Sequence, residues 1–226
     1  MAYRTLVAES VTPDQESLTL TLEQGHHVVR VRGEILMSSR VSGSEQAMAR
    51  LAFGERATSQ ISRVLVGGLG MGFTLRAVLD ELGPAAEVDV LELLAPVVDW
   101  NRGPLAAYAK QPLDDPRVVI IVRDVLAHLA GVAQAYDGIV LDIDNGPEAF
   151  TVAANHRLYT PSGLAILYAA LRPAGVMVLW SAFRSPPFER LLRAVGFSAI
   201  SVTVRARGAI GKGARHTVFK ASRPRA

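Results

Sequence analysis

The chain has no cysteine among its 226 residues, which excludes disulfides, thiolate nucleophiles and cysteine-ligated zinc sites. It also has no run of eighteen apolar residues, and its first residues lack the apolar core of a secretory signal. The five histidines form no HExxH pattern. We therefore expect a cytoplasmic protein with no metal site and no membrane partner.

Acidic residues are missing from the last part of the chain. No Asp or Glu follows Glu189, whereas nine Arg and Lys do, although the net charge of the chain is only +3. Four of these cations lie at the ends of, or within, a glycine-rich loop: Arg205, Arg207, Lys212 and Arg215. Such a loop attracts carboxylate or phosphate groups. The small-molecule acceptor is therefore expected to be either an amine or an anion. A basic surface that only improves solubility is the alternative.

Two regions with different hydrophobic patterns follow each other. Up to residue 43, short runs with period-two alternation at 18–22 and 28–32 indicate an antiparallel β-hairpin. A helix is predicted after it, at about residues 45–57. We predict a small N-terminal antiparallel region at 1–43 and a Rossmann-like domain at 44–226, which includes the linking helix 44–57.

From residue 63 onward, continuous apolar runs alternate with helical segments, as is typical of buried parallel strands in a doubly wound α/β sheet. The last two strands are joined by a loop that leaves no room for a helix, so a terminal hairpin is predicted. We expect a seven-stranded sheet, mostly parallel with an antiparallel terminal hairpin strand. The predicted strands are 63–66, 88–91, 118–122, 138–141, 176–180, 199–204 and 216–220, and the predicted helices are 73–82, 96–109, 125–133, 161–171 and 187–195.

The first of these parallel strands ends in a glycine-rich turn with Gly67, Gly68, Gly70 and Gly72. Ligands of open α/β sheets bind beyond the carboxyl ends of the strands, and glycines let the backbone approach a ligand beneath a helix N-terminus. A dinucleotide fingerprint that starts at Gly68 would need Gly or Ala at position 73, where Phe73 stands. The GxGxG spacing favours an adenosyl sulfonium over a nicotinamide dinucleotide.

Carboxylates end the next two strands. Glu92 lies twenty residues past Gly72, where it can accept both hydroxyls of a ribose. Asp124 follows the third strand, where it can bind the exocyclic amine of an adenine while Val125 packs on the ring. An exposed strand-end carboxylate or a helix cap is the alternative for each acid.

The fourth parallel strand ends in a polar cluster with Asp142, Asp144 and Asn145. These side chains could hold an amine, accept its proton or recognise a sulfonium. An Asn-Gly-Pro turn capped by aspartate is the alternative. Tyr159 and Trp180 could line an acceptor pocket, or they could serve in packing only.

Together these residues resemble the spermidine synthase family, the polyamine aminopropyltransferases, which share the fold of class I S-adenosylmethionine-dependent methyltransferases. The resemblance covers most of the chain and includes the glycine turn, the strand-end acids, and the segments 115–118, 158–159 and 171–176. It implies that Glu92 binds the ribose, that Asp124 lies by the adenine and that Asp142 stands where a base would deprotonate the attacking amine. It also implies a homodimer.

Several positions depart from the family's pattern. Gly70 stands where the family carries an aspartate that holds the aminopropyl arm, and Asn145 stands for the second aspartate of the fourth-strand motif. Glu45-Gln46 replaces a His-Glu pair on the linking helix, and Leu36 or Met37 replaces a hairpin glutamine. These changes remove contacts to a cationic arm and to a polyamine.

We therefore expect a transferase that binds S-adenosylmethionine or its decarboxylated form and passes a methyl or aminopropyl group to a small acceptor. True polyamine synthesis is in question because of the replaced contacts. One alternative is a catalytically silent relative that binds the nucleoside. The other is a nucleic-acid methyltransferase that uses the basic C-terminal patch, although the chain shows no appended nucleic-acid-binding domain.

Overall fold

The N-terminal part of the protein is a four-stranded antiparallel meander. We analysed a computed structural model that describes residues 4–12, 14–40, 42–143, 146–147, 153–206 and 213–225. The strands lie side by side in chain order: β1 (Arg4–Val11), β2 (Ser17–Glu23), β3 (His26–Val31) and β4 (Glu34–Ser38). The predicted hairpin is the central β2–β3 pair of this sheet. The outer strands β1 and β4 were not predicted. The boundary at residue 43 stays a prediction.

The second sheet has seven strands in the order β10-β11-β9-β8-β5-β6-β7. Strands β5 to β9 pair in parallel, whereas β11 is antiparallel to both of its neighbours, β9 and β10. The prediction of a mostly parallel sheet with a terminal hairpin is confirmed, and the reversed strand lies one place inside the edge. The strands are β5 (Arg63–Gly67), β6 (Glu87–Glu92), β7 (Val118–Val122), β8 (Tyr136–Leu141), β9 (Leu171–Ser181), β10 (Ser198–Arg205) and β11 (Arg215–Ser222).

Helices cover both faces of this sheet. Three of them share a buried cluster with the N-terminal sheet, and the other three form a second cluster on the opposite face. The first three are α1 (Gly43–Phe53), α2 (Phe73–Glu81) and α3 (Ala95–Arg102), and the others are α4 (Val125–Leu129), α5 (Pro161–Ala170) and α6 (Pro186–Val195). None of the helices in the described part of the chain is long and apolar enough to cross a bilayer.

Some helices are shorter than predicted. The segment 96–109 divides into α3 and a 3-10 turn at 106–109, because Gly103 and Pro104 interrupt the helix. The segment 125–133 keeps only α4, since Gly131 with a φ of +79° lies just past it.

Strand order changes direction between β5 and β8, which brings the carboxyl ends of β8, β5 and β6 together. Gly67, the last residue of β5, pairs with Leu141 of β8 on one side and Leu91 of β6 on the other. Open α/β sheets bind ligands at such a switch point. The predicted site residues that end these strands therefore meet at one place.

Helix α1 is docked on the sheet by an aromatic ring over a glycine. Phe53 is buried at the end of α1, and a Cβ built on Gly138 of β8 would lie 2.4 Å from Phe53 Cε1. Beside this contact, Asp137 accepts hydrogen bonds from the amides of Ser62 and Arg63 at 2.8 and 3.0 Å. The contact fixes the position of α1 relative to β8.

We predict that Gly138→Ala destabilises the protein by about 1–3 kcal/mol, because the added methyl group overpacks the ring of Phe53. Urea unfolding measures this loss. Gly83→Ala is the matched control, since its Cβ would come no closer than 3.5 Å to the nearest atom of Thr58. Equal free energies of unfolding for the two variants would contradict the proposed docking contact.

Candidate functional site

The glycine turn after β5 lies against the end of β8. Gly68 has a φ of +87° and donates from its amide to the carbonyl of Leu91 at 2.8 Å. A Cβ at Gly68 would lie 2.2 Å from the carbonyl oxygen of Asp142. Only glycine fits here, so the sequence brings the backbone of the turn within contact of the residue predicted to be the base.

The next glycines shape the start of α2. Gly72 has a φ of +80° and precedes α2, and Gly70 has a φ of +53°. The buried amide of Asn101 donates to the carbonyl of Gly70 at 2.8 Å. A Cβ at Gly70 would meet only Met37 Sδ, at 3.8 Å. Two positions where the sequence departs from the family's pattern therefore border each other.

Glu92 is buried at the end of β6, and both of its oxygens are held by backbone amides. Leu69 of the glycine turn donates to one oxygen and Leu94 donates to the other, each at 2.9 Å. Burial raises the pKa of the Glu92 carboxyl, and these amide hydrogen bonds oppose the shift. The backbone amides of Leu93 and Gly70 also lower this pKa, so the carboxylate lies among four amide donors.

Asp124 and Val125 lie at the start of α4. The Asp124 carboxylate accepts from the amide of Ala127 at 2.8 Å and so caps the helix. The helix-cap alternative is thus observed, and the second carboxylate oxygen is left for another donor. Val125 is buried, and the exposed Arg123 stands beside it.

Asp142 follows the last residue of β8, and the hydroxyl of Thr74 in the first turn of α2 donates to it. Burial raises the pKa of the Asp142 carboxyl, while the Thr74 hydrogen bond opposes the shift. Thr74 was not predicted as a site residue from the sequence. Its position in the sequence could have identified it, because Thr74 is the second residue of a helix that follows a glycine turn.

Glu45 of α1 brings a further carboxylate to Asp142. Burial, and then repulsion from Asp142, raise the pKa of Glu45 to about 7, although the hydroxyl of Ser44 donates to it at 2.8 Å. Two neighbouring buried acids cannot both ionise easily, so the pair retains a proton near neutral pH. Glu45 was interpreted only as a lost family residue. Met48 and Ala52, three and seven residues further along the helix, are buried. This spacing could have placed Glu45 on the inner face of the helix.

These side chains line one cavity of about 290 Å³. Its charged lining consists, among the described residues, of four carboxylates and one guanidinium: Glu45, Glu92, Asp124, Asp142 and Arg123. Apolar residues such as Leu36, Met37, Leu93 and Ile143 supply much of the remaining wall. Among the described residues, no group of three His, Asp or Glu could hold a metal ion.

The other predicted site residues lie at different places. Gly68, Gly70 and Trp180 line the cavity. Tyr159 is buried with its ring against Phe188, at a centroid distance of 5.7 Å. Its neighbours Leu158 and Asn155 line the cavity instead. Asp144, Asn145, Arg207 and Lys212 lie outside the described residues.

Comparison with known proteins identifies relatives of this chain. The family model of the spermine/spermidine synthase domain matches residues 48–190. A polyamine aminopropyltransferase of Korarchaeum cryptofilum is 29% identical over 136 residues, which are 59% of this chain and 40% of that protein. One from Mycobacterium tuberculosis is 30% identical over 146 residues, 62% of this chain and 27% of that protein. The matches thus span less than half the length of these relatives.

Solved structures show the same fold. A spermidine synthase in complex with the transition-state analogue AdoDATO gives a TM-score of 0.75 at 18% identity, covering 96% of this chain and 73% of that one. Spermidine synthase from Thermotoga maritima gives 0.73 at 18% identity, covering 96% and 72%. The predicted fold class is confirmed by this likeness.

We predict that the free energy of unfolding depends less on pH in the Glu45→Gln variant than in the wild type. Between the ordinary value of 4.5 and about 7, the folded protein keeps a proton that the unfolded chain releases, so the free energy of unfolding falls as pH rises. Gln cannot ionise, and at pH 8 the variant should be more stable than the wild type by about 1–2 kcal/mol. Urea unfolding at about pH 5 and pH 8 measures the difference.

The exposed Glu55, just past α1, gives the matched control, and Glu55→Gln should leave the wild-type profile unchanged. If the profiles of Glu45→Gln and the wild type ran parallel, Glu45 would not be a protonated buried acid.

Proposed function

Because the chain belongs to the spermine/spermidine synthase domain family, we propose that it transfers an aminopropyl group from decarboxylated S-adenosylmethionine to a small amine acceptor. The observation that carries the proposal is the carboxylate pair Glu45 and Asp142, in the same cavity as the amide-held Glu92.

The nucleoside half of the substrate fits the described residues. Glu92 offers a carboxylate to the ribose hydroxyls, in an orientation fixed by the amides of Leu69 and Leu94. Gly68 leaves no side chain between the turn and Asp142. Asp124 can accept from the adenine amine with the oxygen that does not cap α4, and Val125 offers an apolar surface to the ring.

The charge of the cavity favours a cationic substrate pair. Its described lining has four carboxylates and only Arg123 as a cation. Decarboxylated S-adenosylmethionine carries a sulfonium and an ammonium, and an amine acceptor adds another ammonium. Opposite charges attract strongly in a water-poor cavity. An anionic acceptor or a nucleic-acid phosphate would instead meet a mostly acidic lining, so the cavity disfavours the nucleic-acid alternative.

The reaction needs one proton to be removed. The acceptor ammonium gives a proton to the Asp142 carboxylate and becomes a neutral amine. The free electron pair of this amine attacks the aminopropyl carbon that is bound to sulfur. A carbon–nitrogen bond forms, the carbon–sulfur bond breaks, and the sulfonium becomes a neutral thioether. Asp142 is suited to this step because its raised pKa makes it a better proton acceptor than an exposed aspartate. The protein otherwise orients the two substrates and limits water.

Methyl transfer from intact S-adenosylmethionine is the second candidate. Gly70 brings no carboxylate into the turn, and the space beside it is bordered by Met37. The carboxylate of the intact substrate would therefore meet no like charge at this position.

Calorimetry with methylthioadenosine, S-adenosylmethionine and its decarboxylated form tests the proposal. We expect all three to bind, the decarboxylated form most tightly. Glu92→Gln should weaken the binding of methylthioadenosine by about 10- to 100-fold, because it loses charge-assisted hydrogen bonds to the ribose.

Glu87→Gln is the matched control, since Glu87 is exposed at the opposite end of the same strand. Tighter binding of the intact form would favour methyl transfer. If none of the three compounds bound to the folded wild-type protein, the nucleoside site would be refuted.

Asp142→Asn should retain nucleoside binding and lose turnover by about 100-fold or more, because the amide cannot accept the proton of the amine. Turnover is measured as thioether formation with a panel of mono- and diamines. Wild-type turnover in the variant would exclude Asp142 as the base. Nucleoside binding without turnover of any acceptor by the wild type would instead support the silent relative.

A further inference from the structure

A chain of hydrogen bonds leads from the cavity toward the surface through residues outside the proposed catalytic step. Glu45 accepts from the hydroxyl of Ser44 at 2.8 Å. Ser44 Oγ in turn lies 3.3 Å from His216 Nδ1 on β11. Ser44 is buried, whereas His216 is only partly buried. The three groups join α1 to β11.

The ring of His216 is held in place by the cavity wall. Trp180, which lines the cavity, packs edge-on against it with a centroid distance of 4.7 Å and an interplanar angle of 70°. In the sheet, His216 pairs with Val204 of β10. The imidazole is therefore oriented by a ring contact and a hydrogen bond, as a positioned proton acceptor requires.

The hydrogen bonds between Glu45, Ser44 and His216 can run in either of two directions, depending on whether Glu45 is ionised. When Glu45 is ionised, Ser44 donates to it and His216 Nδ1–H donates to Ser44. When Glu45 is protonated, the carboxylic acid donates to Ser44, and the Ser44 hydroxyl donates to a bare Nδ1. A hydroxyl that rotates between two partners can pass a proton in this way. The two directions differ in the tautomer of the neutral histidine.

We propose that Ser44 and His216 form a relay that carries the proton released by the acceptor amine from the Asp142–Glu45 pair to the solvent. This inference rests on the proposed function. The proton moves from Asp142 to Glu45, two acids that line the same cavity. It then passes from Glu45 to Ser44, whose own proton moves on to His216 Nδ1. His216 then releases a proton to water, and the pair regains its negative charge for the next turnover.

The acidities of the two ends are compatible with such a transfer. The pKa of Glu45 is raised to about 7, by burial first and by Asp142 second. Burial lowers the pKa of His216 from 6.5, so neither group holds the proton strongly at neutral pH. Among the described residues, Asp142 is the charged group that raises the pKa of Glu45.

His216 has neutral neighbours from each element packed against it. Helix α1 presents Ser44, β9 presents Trp180 and β10 presents Val204. The nearest cations along its own hairpin, Arg205 and Arg215, face each other in the sheet register and are exposed.

The relay is tested without turnover by nitrogen NMR of labelled histidine in the ligand-free protein. His216→Gln assigns the signal of His216 among the five histidines. In the wild type, we expect the Nδ1 signal to change from acceptor-type to NH-type as pH rises through about 7, when Glu45 ionises. Ser44→Ala and Glu45→Gln should abolish this tautomer change. A wild-type His216 that keeps one tautomer from below to above about pH 7, or a change that persists in Ser44→Ala, would overturn the relay.

The kinetic arm uses the acceptor identified in the amine panel. His216→Gln and Ser44→Ala should lower kcat by about tenfold with KM unchanged, and added imidazole buffer should restore part of the rate. The control His26→Gln, in the N-terminal sheet, should behave like the wild type. Unchanged kcat in both relay variants would overturn the relay. The NMR experiment needs neither nucleoside nor acceptor. A negative NMR result would therefore refute the relay alone, whereas absence of nucleoside binding would refute the proposed function.

Discussion

The buried carboxylate of Glu92 is the interaction on which the arrangement of the cavity depends. It joins the glycine turn, through the amide of Leu69, to the start of α3, through the amide of Leu94. Removing a carboxylate from water is costly, and its raised pKa reflects that cost. Without the two amide donors the charge would be unpaired, and without the charge the turn would lose its connection to α3. The residue with the clearest proposed ligand role is therefore also structural, so its loss should be examined for binding and folding together.

The acid pair has a different energetic basis, because it is unfavourable for folding. Glu45 and Asp142 repel each other in a partly dry cavity, and the hydroxyls of Ser44 and Thr74 offset only part of that cost. Packing elsewhere must hold the two acids together. The contact of Phe53 with Gly138 does this by fixing α1 on β8, which keeps Glu45 beside the end of that strand. Strain of this kind is characteristic of sites whose groups need altered proton affinities.

The sequence predicted the parts of the fold that local patterns determine. Continuous apolar runs located the five parallel strands β5 to β9, and the glycine spacing located the turn. The terminal hairpin of β10 and β11 was predicted from the loop that joins them, which leaves no room for a helix. The outer strands β1 and β4 were not predicted, because strand pairing in a meander depends on cross-strand neighbours as much as on local alternation. Glu45 was undervalued for a related reason. Its position over Asp142 follows from the docking of α1, which depends on Phe53 and Gly138, two residues 85 positions apart in the chain.

The same long-range arrangement bears on how the departures from the family's pattern should be interpreted. By the resemblance, Gly70 stands for an aspartate of the glycine turn and Glu45 for a histidine of the linking helix. In three dimensions both positions border one cavity, and Glu45 adds a carboxylate to it. The cavity therefore has an acidic group on its α1 side, and the pKa of this group is about 7. A cationic substrate interacts with the sum of the charges around it as well as with individual contacts, so a changed residue pattern is compatible with recognition of the same class of substrate. This acid also accepts a hydrogen bond from Ser44, whose Oγ lies 3.3 Å from His216 Nδ1.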